Sequence, residues 1–389
     1  MATRFERAER LTKLPPYLFI EIDKKKKAAQ ARGVDLVDLG VGDPDLPTPG
    51  VLLRELARAS RNPAYHQYPL GSGLPAFRQA AARWFERRFG VALDPASEVL
   101  ALIGSKEGIG HLPVAFVDPG DVVLCPDPGY PVYNAGTIFS EGVPVKMPLT
   151  EKGGFLPDFG KIPAKALARA RVMWLNYPNN PTAATASPAF FKDAVRFCKQ
   201  HGIILAHDMA YSEIYYDGER PPSVLEVPGA KDVAIEFHSL SKTFNMTGWR
   251  VGFAVGKAEL VAGLAAVKGN PDSGVVSAIQ AMGIAALDAP ASLTAGIRKT
   301  YQKRRDLFVP GLQKLGFEVR LPKASFYVWI RLPKGKTSAG YASELLEKAG
   351  IVATPGNGFG DAGEGYIRMT MTAPEARLKL ALERLAALR

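Results

Sequence analysis

The chain has 389 residues, 47% of them hydrophobic and 22% charged, which is ordinary soluble-globular usage and excludes a disordered polypeptide. That length suits one large domain with a smaller one, or two comparable ones, rather than a single small module. The formal net charge is +11, but the cations are scattered through helix-like segments such as Arg78 to Arg88 and form no tail, which favours acidic small ligands over nucleic acid or a membrane surface.

Cys125 and Cys198 are too few to staple a chain of this size and show no ligand spacing, which fits a reducing compartment. The stretch Met1 to Lys13 alternates charge without an apolar core, and no apolar run reaches the roughly 18 residues a membrane helix needs. A cytoplasmic protein is expected. The N-terminal region reads as an arm with a short helix, interrupted at Leu14-Pro15-Pro16-Tyr17, and Lys24 to Lys27 read as a solvated helix face. A short strand is expected over Val34 to Gly42, ending in the turn Gly42-Asp43-Pro44-Asp45, whose glycine can expose backbone N–H groups to a carboxylate. Tyr65 to Pro69 leads through Gly71-Ser72-Gly73 into a helix with Phe77, Ala81, Trp84 and Phe85 on one face. Those glycines do not make a dinucleotide loop, because no buried strand precedes them and the spacing is not G-x-G-x-x-G. Tyr68 offers a hydroxyl near this helix start, where packing is the commoner use.

From here short apolar runs rich in branched residues alternate with helix-like segments, the pattern of an α/β sheet. Val99 to Ile103 ends at Gly104-Ser105-Lys106-Glu107-Gly108, where Ser105 is expected to cap a helix whose exposed N–H groups make an anion site. Val122 to Cys125 ends at Pro126-Asp127-Pro128-Gly129-Tyr130-Pro131, a rigid loop on which the Tyr130 ring can stack on a flat ligand. Val172 to Leu175 ends at Asn176-Tyr177-Pro178-Asn179-Asn180-Pro181. Ile203 to Ala206 ends at His207-Asp208-Met209-Ala210-Tyr211, and Val233 to Phe237 ends at Ser239-Leu240-Ser241-Lys242. Taken singly, an aspartate after a buried strand is usually a cap or turn residue. Ser105, Tyr130, Asn180, Asp208, Tyr211 and Lys242 at successive strand ends are far more specific, because open α/β sheets bind ligands there.

After residue 285 or so the texture changes to a long cation-rich helix, Ser292 to Leu315, followed by strands over Phe326 to Ile330 and Gly365 to Thr372. The second alternates strictly, with Ile367, Met369 and Met371 on one face and Arg368 pointing away from it. A strand cation in that position is by itself most often exposed. The chain closes with an amphipathic helix bearing Leu378, Leu382 and Leu385. The five histidines lack metal-ligand spacing, so no metal is expected.

The stretch Ser239 to Arg250 organises the rest. A lysine amine condenses with an aldehyde to a Schiff base, most readily when desolvation or a neighbouring cation frees the amine. Lys242 has Arg250 close in sequence and hydroxyls at Ser239 and Ser241. An aldehyde anchor, a phosphate grip, a stacking tyrosine and a carboxylate together suit pyridoxal 5'-phosphate. Asp208 is placed to pair with the pyridine nitrogen and favour its protonated form, and Asn180 and Tyr211 to bond the ring hydroxyl. Ser105, Lys106, Ser239, Ser241 and Arg250 are placed around the phosphate.

The runs Ser241-Lys242-Thr243-Phe244-Asn245-Met246-Thr247-Gly248-Trp249-Arg250 and Tyr177-Pro178-Asn179-Asn180-Pro181-Thr182 resemble the class I/II aminotransferases of pyridoxal-phosphate fold type I, over nearly the whole chain. Within that family Ile103 to Ile109 and Pro126 to Tyr133 are similar to LL-diaminopimelate aminotransferases. The resemblance implies a large domain with a mostly parallel seven-stranded sheet flanked by helices and a smaller α+β domain. The expected division is 1–47 as arm and part of the small domain, 48–287 as the cofactor domain and 288–389 as the small domain. It also implies a ping-pong transaminase of amino and 2-oxo acids, glutamate and 2-oxoglutarate among them, acting as a homodimer with active sites at the subunit interface. Tyr68 and Asn270 are then the positions that reach cofactor or substrate there, Arg368 grips the substrate α-carboxylate with Gly42 beside it, and Tyr17, Lys106, Tyr130, Asn180 and Asn270 contact substrate. Ala183 departs from the family, where many members have glycine, and puts the turn after Thr182 in question. Rival readings are an aspartate, alanine or broad-specificity aminotransferase, a carbon-sulfur lyase, and a non-catalytic cofactor-binding regulator. The last would need a DNA-binding module for which an arm of this length is too short.

Overall fold

The computed structural model describes residues 5–15, 18–69 and 71–388, the side chains of 18–21 excepted. Strands in chain order are β1 Val37–Asp38, β2 Val99–Leu102, β3 Val122–Asp127, β4 Val143–Pro148, β5 Ala170–Asn176, β6 Ile204–Asp208, β7 Ala234–Ser239 and β8 Gly252–Gly256. Beyond a long helix, Ala291–Lys314, follow β9 Glu318–Val319, β10 Tyr327–Arg331, β11 Ile351–Val352, β12 Thr354–Pro355 and β13 Tyr366–Thr370.

Seven strands form the main sheet in the order β2-β8-β7-β6-β5-β3-β4. All neighbours are parallel except at β8, which runs antiparallel to both β2 and β7. The period-two alternation of strand side chains explains the two cores. Leu124, Met173 and Leu175 face one side and join Phe77, Phe85 and Phe191, while Val123, Val172 and Trp174 face the other with Leu112 and Phe237. Burial on both faces is why these runs read as continuously apolar. β4 is the edge strand, with only one of its six residues buried, and it carries Pro144 and Pro148, residues that an edge position tolerates.

A second, antiparallel sheet of order β12-β13-β10-β9 packs with the helices Ala291–Lys314 and Glu375–Ala387 around Tyr301, Phe308, Ile367 and Leu378. Of the strand expected over Val34 to Gly42, only Val37–Asp38 is regular, paired in parallel with Ile351–Val352. The carbonyl of Gly40 instead accepts from the Thr354 hydroxyl at 2.7 Å and from Arg368. Backbone that serves side chains cannot also serve a ladder. The Lys24 to Lys27 run lies on the helix Leu18–Ala31 and is exposed except at Lys26, which is partly buried and pairs with Asp38 at 2.6 Å.

Candidate active site

The strand ends of the main sheet and the edge of the second sheet enclose a cavity of about 480 Å³. It is lined by Ser105, Lys106, Tyr130, Asn180, Asp208 and Tyr211, by Ser239, Ser241, Lys242 and Arg250, and by Gly42 and Arg368. These side chains come from loops following five different strands and from the second sheet, which is what parallel connectivity imposes at the carboxyl ends.

Lys242 sits on a single helical turn, Leu240–Thr243, directly after β7. The turn is held by Ser239, whose side chain accepts from the Ser241 N–H at 3.3 Å, and by Thr243, whose hydroxyl donates to the Ser239 carbonyl at 3.1 Å. The Lys242 amine donates to the Gly42 carbonyl at 3.4 Å and lies 5.8 Å from the Phe326 ring. Burial lowers its ammonium to about 8, with the cations Arg250 and Arg368 adding to the fall and Asp43 opposing it. A substantial neutral fraction at physiological pH makes this amine nucleophilic.

Asp208 ends β6 and is buried. Burial raises its carboxyl above the ordinary range, and the hydrogen bond from Tyr133 opposes that rise. The Tyr133 hydroxyl reaches it at 2.8 Å, and the Tyr133 ring is held by stacking on Trp174 at 5.0 Å. Tyr133 was not among the expected site residues, although it stands one turn past Tyr130, whose ring meets it edge-on at 5.9 Å. Asn176 closes the same corner, donating to the Asp208 carbonyl at 2.7 Å and accepting from the Asn180 N–H at 2.8 Å.

The expectation that Ser105 caps its helix is corrected. Gly104 is the cap residue at φ 71°, and Ser105 is the first residue of the helix Ser105–Phe116. The chain enters the helix through the positive φ of Gly104, which glycine alone adopts freely, and a Cβ there would also lie 2.3 Å from the Arg250 Nη2 atom. Arg250 itself adopts the left-handed conformation at φ 52° and donates to the Thr247 carbonyl at 2.9 Å. A helix N-terminus, three serines and this guanidinium therefore converge on one end of the cavity, an arrangement suited to a dianionic group.

At the other end Arg368, on β13, is 1% exposed, so the ordinary expectation of an exposed strand cation fails. It points away from Ile367 and Met369, as the alternation requires, and what lies there is the cavity. Its guanidinium donates to Asn180 Oδ1 at 2.8 Å and to the carbonyls of Gly40 and Val41, and lies 4.3 Å over the Tyr327 ring. Tyr327, also unanticipated, shares a 2.8 Å hydrogen bond with the Tyr211 hydroxyl. It also explains Gly42, where a Cβ would fall 2.7 Å from the Tyr327 ring.

Two expected residues do not line the cavity of their own chain. Tyr68 is 90% exposed, and Asn270 is exposed and donates to the Ala266 carbonyl at 2.9 Å. Tyr17 lies outside the described residues. Ala183 takes φ 60°, so the turn keeps the left-handed geometry that glycine would favour. Glu107, His111 and Asp272 come close enough together to hold a cation, but the Lys268 ammonium already bonds Glu107 at 3.1 Å and Asp272 at 2.9 Å.

Pyridoxal phosphate fits this donor set. A phosphate matches the serine and Arg250 end, a ring nitrogen matches the buried Asp208 carboxyl, and an aldehyde matches the depressed Lys242 amine.

The aminotransferase class I and II family model matches residues 34–385. An LL-diaminopimelate aminotransferase of Aquifex aeolicus is 54% identical over 381 residues, covering 98% of both chains. One of Moorella thermoacetica is 53% identical, covering 98% of this chain and 97% of its own. Substrate-bound BacF from Bacillus subtilis superposes with a TM-score of 0.96 at 36% identity, covering 99% of this chain and 98% of its own. The chain belongs to the class I and II aminotransferases, enzymes of fold type I whose cofactor is pyridoxal 5'-phosphate.

Proposed function

We propose that this chain is an LL-diaminopimelate aminotransferase of lysine biosynthesis, a cytoplasmic homodimer that exchanges an amino group between glutamate/2-oxoglutarate and tetrahydrodipicolinate/LL-diaminopimelate. The observation that carries this reading is identity above one half, over nearly the full length, to enzymes of that name. None of the helices among the described residues is long and apolar enough to cross a membrane.

When bound, pyridoxal phosphate supplies an aldehyde for an amine and a ring that withdraws electrons from the substrate Cα. In this reading Lys242 would hold the cofactor through its amine, and that amine, when free, would move the proton of the substrate Cα. Asp208 presents its carboxylate to the ring nitrogen, oriented by Tyr133. Asn180 and Tyr211 would hold the ring hydroxyl, and Tyr130, which lines the same cavity, would lie against the ring. Ser105, Lys106, Ser239, Ser241 and Arg250 hold the phosphate. Arg368 offers its planar fork to the α-carboxylate, with the Gly42 backbone beside it. Tyr17, Lys106, Tyr130, Asn180 and Asn270 contact the substrate, and in the dimer Tyr68 and Asn270 serve the neighbouring subunit's site. The exposure of Tyr68 on the single chain supports that placement.

The test is glutamate formation from 2-oxoglutarate across a panel of amino donors. Turnover with LL-diaminopimelate above that with aspartate or alanine is expected. Turnover with those two and none with LL-diaminopimelate removes the substrate assignment.

A further inference from the structure

Behind the cavity, on the opposite face of β6 from Asp208, lies a polar cluster the mechanism does not use. His207, Glu236 and Ser223 are each 0% exposed and His238 is 2% exposed. His207 and Glu236 are register partners on the parallel strands β6 and β7. The two nitrogens of His207 face different groups: Nδ1 lies 2.8 Å from Glu236 Oε2, and Nε2 lies 3.1 Å from the Tyr177 carbonyl oxygen.

A carbonyl only accepts, and an ionised carboxylate only accepts. Glu236 is surrounded by donors, with the Ser223 hydroxyl at 2.8 Å, the Val224 N–H at 2.9 Å and His238 Nε2 at 2.7 Å, besides His207. A carboxylate bonded this way favours its charged form. Both His207 nitrogens must then carry protons. His238 differs in that only its Nε2 faces Glu236, its Nδ1 being buried without a partner among the described residues.

The consequence reaches the site through two short connections. The Tyr177 carbonyl belongs to the residue that follows β5 and opens the loop to Asn180, the residue that bonds Arg368. Asp208 follows His207 directly on β6. We infer that His207 stands as a buried imidazolium and is a positioning residue, its two protons tying the ends of β5, β6 and β7 into one frame that sets Asn180 against Arg368 and Asp208 against the cavity. This rests on the proposed places of Asn180 and Asp208, and it is separable from them because the ring's protonation is read without turnover.

The experiment labels the purified holoenzyme with ¹⁵N-histidine; five histidines give a resolvable spectrum, assigned by the signal lost in His207→Gln. Two directly bonded protons on the His207 ring at pH 7.5 are expected. A single N–H on His207 overturns the inference, because the proton then resides on Glu236. A kinetic arm separates positioning from core filling. His207→Gln keeps an amide N–H directed at the Tyr177 carbonyl, and His207→Phe keeps none. At matched thermal midpoint, kcat about tenfold lower in the Phe variant than in the Gln variant is expected. Should the Phe variant not fold, the Gln variant is compared with the parent alone, and a pyridoxal phosphate affinity about threefold or more weaker is expected. Kinetics and cofactor affinity within twofold of the parent in every folded variant overturn the positioning role.

Discussion

Arg368 and Asn180 stand 188 residues apart in the chain, yet the arginine Nη1 atom donates to the asparagine Oδ1 at 2.8 Å with both side chains buried. That bond joins the second sheet to the end of β5 and fixes one edge of the guanidinium fork. Replacing Arg368 by alanine is expected to raise KM for every amino-acid substrate about 100-fold, equivalent to about 2.7 kcal/mol. Lysine at 368 is expected not to restore it, because a point charge cannot reproduce the planar fork. Steady-state kinetics with two donors checks this; a KM within threefold of the parent removes Arg368 from substrate binding.

Lys242 supplies a pH dependence. Its ammonium is lowered from 10.5 to about 8, chiefly by burial, so in the apoenzyme an amine-selective reagent is expected to label it half-maximally near pH 8. The folded value lies below the unfolded one, so between pH 8 and 10.5 the unfolded chain binds more protons and stability rises with pH at this residue. Peptide mapping of the labelled apoenzyme across pH measures the midpoint. A midpoint near 10.5 contradicts the role assigned to desolvation.

Gly104→Ala puts a methyl 2.3 Å from the Arg250 Nη2 atom. The affinity for pyridoxal phosphate is expected to fall about tenfold, the scale of one displaced charge-assisted hydrogen bond. Gly154→Ala is the control, since Gly154 has φ +66° with nothing within 4 Å of the added Cβ and therefore adds backbone strain alone. Equal cofactor affinity in the two variants would disprove the steric account.

Ala183, at φ 60° and 7% exposed, sets two effects against each other. Glycine relieves about 1–2 kcal/mol of left-handed strain. It also loses roughly 0.4–1 kcal/mol to unfolded-chain freedom and up to about 0.8 kcal/mol of methyl burial. Ala183→Gly is therefore expected to change stability by less than about 1 kcal/mol, and Ala183→Val to lose more than about 2 kcal/mol. Urea unfolding measures both, and a glycine variant weakened as much as the valine one would rule out the strain.

Much of the site is legible in the sequence because the α/β pattern sends each strand's carboxyl end to the same edge. Ser105, Tyr130, Asn180, Asp208 and Lys242 need only that rule to meet. Tyr133 and Tyr327 escape it, since each acts on a partner that strand periodicity does not name: the Asp208 carboxyl for one, the Tyr211 hydroxyl for the other. Arg368 shows the limit from the other side. Alternation tells which face of β13 it leaves, but the acceptors on Gly40, Val41 and Asn180 that make burial tolerable come from distant segments. The edge strand β4 and the antiparallel β8 are likewise not anticipated, because prolines break the pattern of one and the other begins and ends on glycine, Gly252 and Gly256.

The central claim is that Lys242 is the covalent anchor around which this cavity is built. The direct measurement is borohydride reduction of the holoenzyme followed by peptide mass spectrometry. The cofactor is expected on the peptide carrying Lys242 alone, with no trapped cofactor in Lys242→Ala. Trapping on any other lysine, or undiminished trapping in the alanine variant, would contradict it.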